Sequence, residues 1–274
     1  MTWLTNPLSL LRGNELAEIP VHIAGSHDPL LVALSVLIAA VASYAALDLA
    51  GRVRASRGWA CHGWLATASI ALGGGIWAMH FIGMLAFSMP GISVHYDAGL
   101  TAFSFVLPIL VTALGFSVVN QTRSGFLSLI TSGLILGLGI AGMHYTGMAA
   151  MRTGARLSYD PWWAALSVAI AVAAATTALW LAFKKFGVAQ KAVAAVAMGI
   201  AIAGMHYTAM AAASFVVLEP GHDAAAHTSI GQISLAIAIA AATFLILTLA
   251  LIAAMFDRRF AALAGKEADA LRLS

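Results

Sequence analysis

Seven apolar runs, each about 20 residues long, alternate along the chain with short polar segments, and a helix of that length crosses a hydrocarbon layer about 30 Å thick. They fall at about residues 29–50, 63–86, 98–119, 126–149, 162–183, 190–213 and 230–255. Helices are expected because lipid offers no water to satisfy open backbone groups, and the alternating apolar and polar positions of a membrane β-barrel are missing. The pattern predicts an all-α chain folded as a seven-transmembrane helix bundle.

Three of the runs break their apolar character in the same way. Aligned without gaps, they read "GGGIWAMHFIGM" at 73–84, "GLGIAGMHYTGM" at 137–148 and "GIAIAGMHYTAM" at 199–210. The histidines are 64 and 62 residues apart, the length of two spans with their loops, so the bundle is predicted to contain a threefold helix-pair internal repeat. A weaker echo, "VHYD" at 94–97 and "LSYD" at 157–160, leads into the third and fifth spans, whereas the seventh span lacks the motif. Seven residues before each histidine stands a glycine (Gly73, Gly137, Gly199), and four after it a methionine (Met84, Met148, Met210). These positions share one helical face, with Gly133 and Gly137 adding a GxxxG step, and the small residues are expected to let the histidine-bearing faces meet.

Composition agrees with a membrane chain: 61% of the 274 residues are hydrophobic and 9% charged. Charge adds direction. With the N-terminus outside, eleven basic residues (Arg52, Arg54, Arg57, Arg123, Lys184, Lys185, Lys191, Arg258, Arg259, Lys266, Arg272) face the cytoplasm and three (Arg12, Arg152, Arg156) face out. This asymmetry satisfies the positive-inside rule, and it places all three Met-His segments about one turn below the outer surface. The organisation expected is an outer segment at 1–28, a membrane domain at 29–256 and a charged cytoplasmic helical stub at 257–274. No cleavable signal peptide is evident, and basic residues form no stripe, which argues against nucleic-acid binding. Cys61 stands alone, excluding an intramolecular disulfide and an all-cysteine metal site.

An ionisable group inside a span is expensive unless compensated, and a bound cation compensates it. Imidazole nitrogen with thioether sulfur is a soft to borderline donor set, favouring copper, most naturally Cu(I), over magnesium, calcium or manganese and less decisively over zinc. The candidate metal ligands are His80, His144 and His206, with Met84, Met148 and Met210 as the better-phased sulfurs and Met79, Met143 and Met205, about 100° away, in reserve. One shared site and several separate sites fit the spacing equally.

These residues resemble the MHYT family of bacterial integral membrane sensor domains. "MHYT" stands verbatim at 143–146 and 205–208, "MHFI" at 79–82 departs at its last two positions, and "ASYAALDLAGR" at 42–52 is similar to the family's first helix. The resemblance implies an inner-membrane module that binds copper near the outer face, senses oxygen, carbon monoxide or nitric oxide, and signals to a cytoplasmic domain or partner. Family members often carry diguanylate cyclase or cyclic-di-GMP phosphodiesterase domains, which this sequence lacks. No catalytic triad, phosphate loop or carboxylate pair appears, so no enzymatic activity is expected.

Two other classes fit parts of the pattern, a membrane copper transporter and a haem-type electron-transfer protein, since histidines from two helices can ligate haem iron. Asp48 is expected to pair with Arg52 one turn on, and Trp162 and Trp163 to anchor the fifth span at the interface. His22, His27, His95, His222 and His227 fall on the outer side and His62 near the inner one. A signal from the motif is expected to pass from the sixth span through one loop to the seventh, and on to Asp257, Arg258 and Arg259.

Overall fold

The computed structural model describes residues 25–89, 91–121, 125–182, 184, 186–217 and 229–273. Expectations for His22, His222, His227, Arg12, Arg123 and Lys185 lie outside the described residues. Seven helices there are long and apolar enough to cross a membrane, and the chain is a multi-pass membrane protein. They are α1 (Pro29–Ala55), α2 (Gly58–Ala86), α3 (Ala98–Gln121), α4 (Phe126–Ala150), α5 (Pro161–Ala182), α6 (Val188–Ala212) and α7 (Gln232–Leu273). At the arginine end, α1 and α2 outrun their apolar cores and are separated by two residues, with Arg52 and Arg54 in the last turn of α1. The last helix, α7, runs unbroken through the charged stretch to Leu273.

The first three odd helices, α1, α3 and α5, start on the same device. Asp28 accepts hydrogen bonds from the backbone N–H of Leu30 (2.8 Å) and Leu31 (3.0 Å), Asp97 from Leu100 (2.9 Å), and Asp160 from Trp162 (2.9 Å) and Trp163 (3.0 Å). The carboxylates satisfy helix N–H groups that have no partner of their own. Outside the spans, these bonds and the Arg152 guanidinium hold the Asp97 carboxyl below the usual carboxylate range.

Short strands close the histidine end: β1 (Ser26–His27), β2 (Phe87–Ser88), β3 (His95–Asp97), β4 (Met151–Arg152), β5 (Ala155–Tyr159), β6 (Ala213–Val217) and β7 (Ser229–Gly231). The strand before each of α1, α3 and α5 pairs antiparallel with the strand after the next even helix: β1 with β2, β3 with β4, β5 with β6. β7 adds to the free side of β3. Each helix pair is therefore tied at its open end.

The three pairs form a closed ring. A Cβ on Gly73 of α2 would lie 2.6 Å from Ile109 N in α3, one on Gly137 of α4 2.5 Å from Val172 Cα in α5, and one on Gly199 of α6 2.7 Å from Ala40 N in α1. The last contact joins the third repeat to the first. These glycines thus bring each motif helix against the next odd helix, not against the other motif helices as the helical phase suggested. α2 is the most buried span, and α7 lies outside the ring against it, with Ile246 packed on Gly74. α7 follows α6 in the chain, and its packed face lies on α2.

At the arginine end, Asp48 Oδ2 meets Arg52 Nη2 at 3.3 Å, as its spacing predicts, and Asp48 Oδ1 accepts from Lys191 Nζ of α6 at 2.6 Å. The second bond ties α1 to α6 where the ring closes. Trp162 and Trp163 are exposed at the start of α5, as interfacial anchors require.

Candidate metal centre

The motif histidines converge on the bundle axis. Nδ1 of His80 lies 3.1 Å from that of His206 and 3.1 Å from that of His144, and the last two are 3.2 Å apart. The rings stand at 79–81° to one another like blades of a propeller, and all three residues are fully buried.

Hydrogen bonding alone cannot satisfy this triangle. Each neutral Nδ1 is either a donor or an acceptor, so among three mutual neighbours at least one pair must match donor with donor or acceptor with acceptor. A cation at the centre accepts all three lone pairs and leaves each ring's proton on Nε2. A point equidistant from nitrogens 3.1 Å apart lies 3.1/√3, about 1.8 Å, from each, so an opening of about 0.3 Å per edge reaches the ~2.0 Å of a metal–imidazole bond. The three Nε2 atoms are buried without a hydrogen-bond partner among the described residues. His80 Nε2 faces Gly147 and His206 Nε2 faces Gly83, so the glycine three residues after the histidine in one repeat seats the ring of another. The third repeat has Ala209 at that position.

Met79, Met143, Met205, Met84, Met148 and Met210 are all 5% exposed or less. Met84, Met148 and Met210 hold equivalent places, each giving its carbonyl to the residue that caps its helix. The donor chemistry and the triangle fit a soft or borderline cation.

A second shell emerges that the spacing argument missed. Ser35, Ser104 and Ser167, each seven residues after an N-cap aspartate, donate to the carbonyl three residues back at 2.7 Å. With its proton used there, Ser167 Oγ accepts from Tyr145 OH (2.8 Å) and Ser35 Oγ from Tyr207 OH (2.8 Å). The tyrosine after each motif histidine thereby fixes its helix to the next odd helix. In the first copy Phe81 has no hydroxyl, and Trp77 Nε1 donates to Ser104 instead (3.2 Å). The departure "MHFI" is compensated one turn away. The residue before each aspartate completes the layer: His27 packs edge-to-face with Tyr207, Tyr96 with Phe81 and Tyr159 with Tyr145, with centroids 5.7, 5.8 and 5.3 Å apart. Burial pushes the Tyr159 phenol up to about 12, with Tyr145 adding to it, raises Tyr96 as well, and lowers His27. The pattern D-x6-S at 28–35, 97–104 and 160–167 was the signal available in the sequence.

Among the described residues, His95 and His62 stay apart from the triangle: His95 pairs with Arg152 and Gly231 in the strands at the histidine end, and His62 Nδ1 contacts Gly58 O at the arginine end.

The profile of a family described as the bacterial signalling protein N-terminal repeat, MHYT, matches residues 17–63, 73–132, 137–195 and 199–265. The chain belongs to the MHYT family. Three matched segments begin on Gly73, Gly137 and Gly199, the glycines at the ring contacts. The bifunctional diguanylate cyclase/cyclic di-GMP phosphodiesterase MucR of Pseudomonas aeruginosa is 43% identical over 245 residues, 88% of this chain and 35% of that protein. The cyclic di-GMP phosphodiesterase NbdA of the same organism is 41% identical over 197 residues, 68% of this chain and 24% of that protein. The signaling protein YkoW of Bacillus subtilis is 34% identical over 258 residues, 88% of this chain and 30% of that protein. The chain thus spans about a third or less of these curated relatives. No solved structure matches it.

Proposed function

We propose that this MHYT chain is a copper-binding sensor of a diatomic gas (oxygen, carbon monoxide or nitric oxide) or of redox state, set in the bacterial inner membrane with its histidine end outward. The observation that carries the reading is the buried triangle of three Nδ1 atoms, which only a shared cation satisfies at every vertex. His80, His144 and His206 hold the ion, and the methionines one turn outward, Met84, Met148 and Met210, supply sulfur, with Met79, Met143 and Met205 in reserve. Copper brings one-electron redox chemistry and affinity for small gases, and its two oxidation states prefer different donors, sulfur for Cu(I) and nitrogen for Cu(II).

The protein's own part is to convert a change in ligand preference into helix position. His80 sits on α2, the helix that carries α7 on its far side through Gly74 and Ile246. A shift of α2 therefore reaches α7, which runs on to Leu273 on the side assigned to the cytoplasm. A few kcal/mol of differential ligation is enough to move a two-state equilibrium from one side to the other. The relatives named as cyclic di-GMP enzymes support an output of that kind joined beyond α7.

Transport receives no support from the axis beneath the triangle. Ile76, Ile140 and Ile202, then Leu72, Leu136 and Met198, follow each histidine down its helix, so a cation meets two apolar rings. A haem macrocycle finds no room between nitrogens 3.1–3.2 Å apart.

Metal analysis after anaerobic purification tests the assignment. Wild type is expected to carry copper, and the His80→Ala/His144→Ala/His206→Ala variant to lose it. Equal copper in both refutes the site, and zinc alone refutes redox sensing because Zn²⁺ has no redox chemistry. Spin labels at the arginine end are expected to change separation under oxygen, carbon monoxide or nitric oxide. Copper flux in proteoliposomes without label movement would establish transport instead.

A further inference from the structure

One turn beneath the histidine triangle lies an apolar cavity of about 20 Å³, bounded by Ile76, Ile140 and Ile202 from the motif helices, Met205 beside His206, and Ala171 and Ala175 of α5. Each isoleucine is four residues before its histidine, and Leu72, Leu136 and Met198 on the far side are eight before, so the cavity lies about 6–12 Å from the histidine plane along the axis.

The threefold repeat breaks at this level. Five residues before the histidine, the first two copies have Gly75 and Gly139, and a Cβ there would collide with Ala42 of α1 and Val111 of α3. The third copy has Ala201. α6 packs on α5 less closely than α2 packs on α1, and the wall that α5 turns to the cavity is Ala171, Ala174, Ala175 and Ala178. The half-buried Ala174 forms the cavity's margin toward the outside of the bundle.

We propose that this cavity is a binding site for one small apolar molecule, of the size of dioxygen, drawn from the bilayer through the α5–α6 seam. Its volume exceeds the ~10–15 Å³ that one water-sized molecule needs, yet water requires two to four polar partners and the lining side chains offer none. Apolar solutes dissolve in the hydrocarbon that surrounds α5. Its role, holding a gas beside the metal, rests on the function proposed above; the existence of the site does not.

Xenon is the probe. Crystals of the full chain, pressurised with xenon, are expected to show anomalous density between the three isoleucines and Ala175, and the same crystals report copper by X-ray fluorescence. Ala175→Leu fills the space and is expected to lower xenon occupancy at least about tenfold; Ala175→Val serves if leucine overpacks the seam. Absence of xenon from the wild type, or undiminished occupancy in the variant, overturns the site. The two proposals separate cleanly: xenon without copper removes the metal assignment and leaves the cavity, whereas copper without xenon does the reverse.

Discussion

Replacing Gly147 by alanine tests whether the repeats seat one another's histidines. The new methyl would lie 2.8 Å from His80 Cδ2 and 3.2 Å from Cε1, and closer still to Nε2, whereas ordinary contact starts near 3.4 Å. The ring must retreat by about 1 Å. Gly147 faces Nε2, so the push drives Nδ1, already about 1.8 Å from the triangle's centre, well inside the ~2.0 Å bonding distance; the ring must swing aside, and one of three nitrogens is lost. A disturbance of this order in a ligand's support weakens metal binding about 10–100-fold. Copper affinity by chelator competition in detergent, with thermal unfolding as a check on folding, measures it. Glycine to alanine inside a helix favours the helix by about 0.5–1 kcal/mol, so lost copper would not reflect a weaker α4. Gly142→Ala on the same helix is the control, since its methyl meets nothing nearer than Leu107 Cδ2 at 3.6 Å. Should Gly147→Ala bind copper within about twofold of wild type while His80→Ala does not, the seating argument is wrong.

Asp48→Asn removes the carboxylate shared by Arg52 and Lys191 and is expected to destabilise the α1–α6 closure by about 1–3 kcal/mol, read as a lower unfolding midpoint; an unchanged midpoint would refute the lock. Tyr207→Phe deletes the bond to Ser35, with an expected loss of about 1 kcal/mol and unaltered copper, because the first repeat already has Phe81 there; lost copper would show the hydroxyl to be part of the site. His27, lowered by burial, is expected to titrate below 6.5 in the folded protein by NMR. The neutral ring is then the folded form, and its contribution to stability is present above 6.5 and fades as pH falls through the folded value. A midpoint at or above 6.5 would contradict the packed position against Tyr207.

Local pattern carried the sequence reading a long way. The apolar runs located the spans to within a few residues at most ends, and Met-His recurrence named the histidines that meet. The same reading erred on Gly73, Gly137 and Gly199, because helical phase says which residues share a face but not which helix that face touches. It also passed over Ser35, Ser104 and Ser167, whose role appears only when each is seen against a tyrosine or tryptophan of another helix.

What the sequence by itself determined is what acts along one helix: span length, the Asp28, Asp97 and Asp160 starts, the Asp48–Arg52 pair, and a repeat whose copies present like side chains in like order. What tertiary structure alone decided is what acts between helices. The ring closes by setting Gly199 on Ala40, the first and third repeats meet at His80 and His206 across 126 residues, and α7 settles on α2 although α6 precedes it. Periodicity is written within each turn of helix, but approach between helices depends on where a missing Cβ lets two backbones close. Gly75 and Gly139 set their helices on Ala42 and Val111, the third copy has Ala201 instead, and the cavity beside α5 exists only once the ring is assembled.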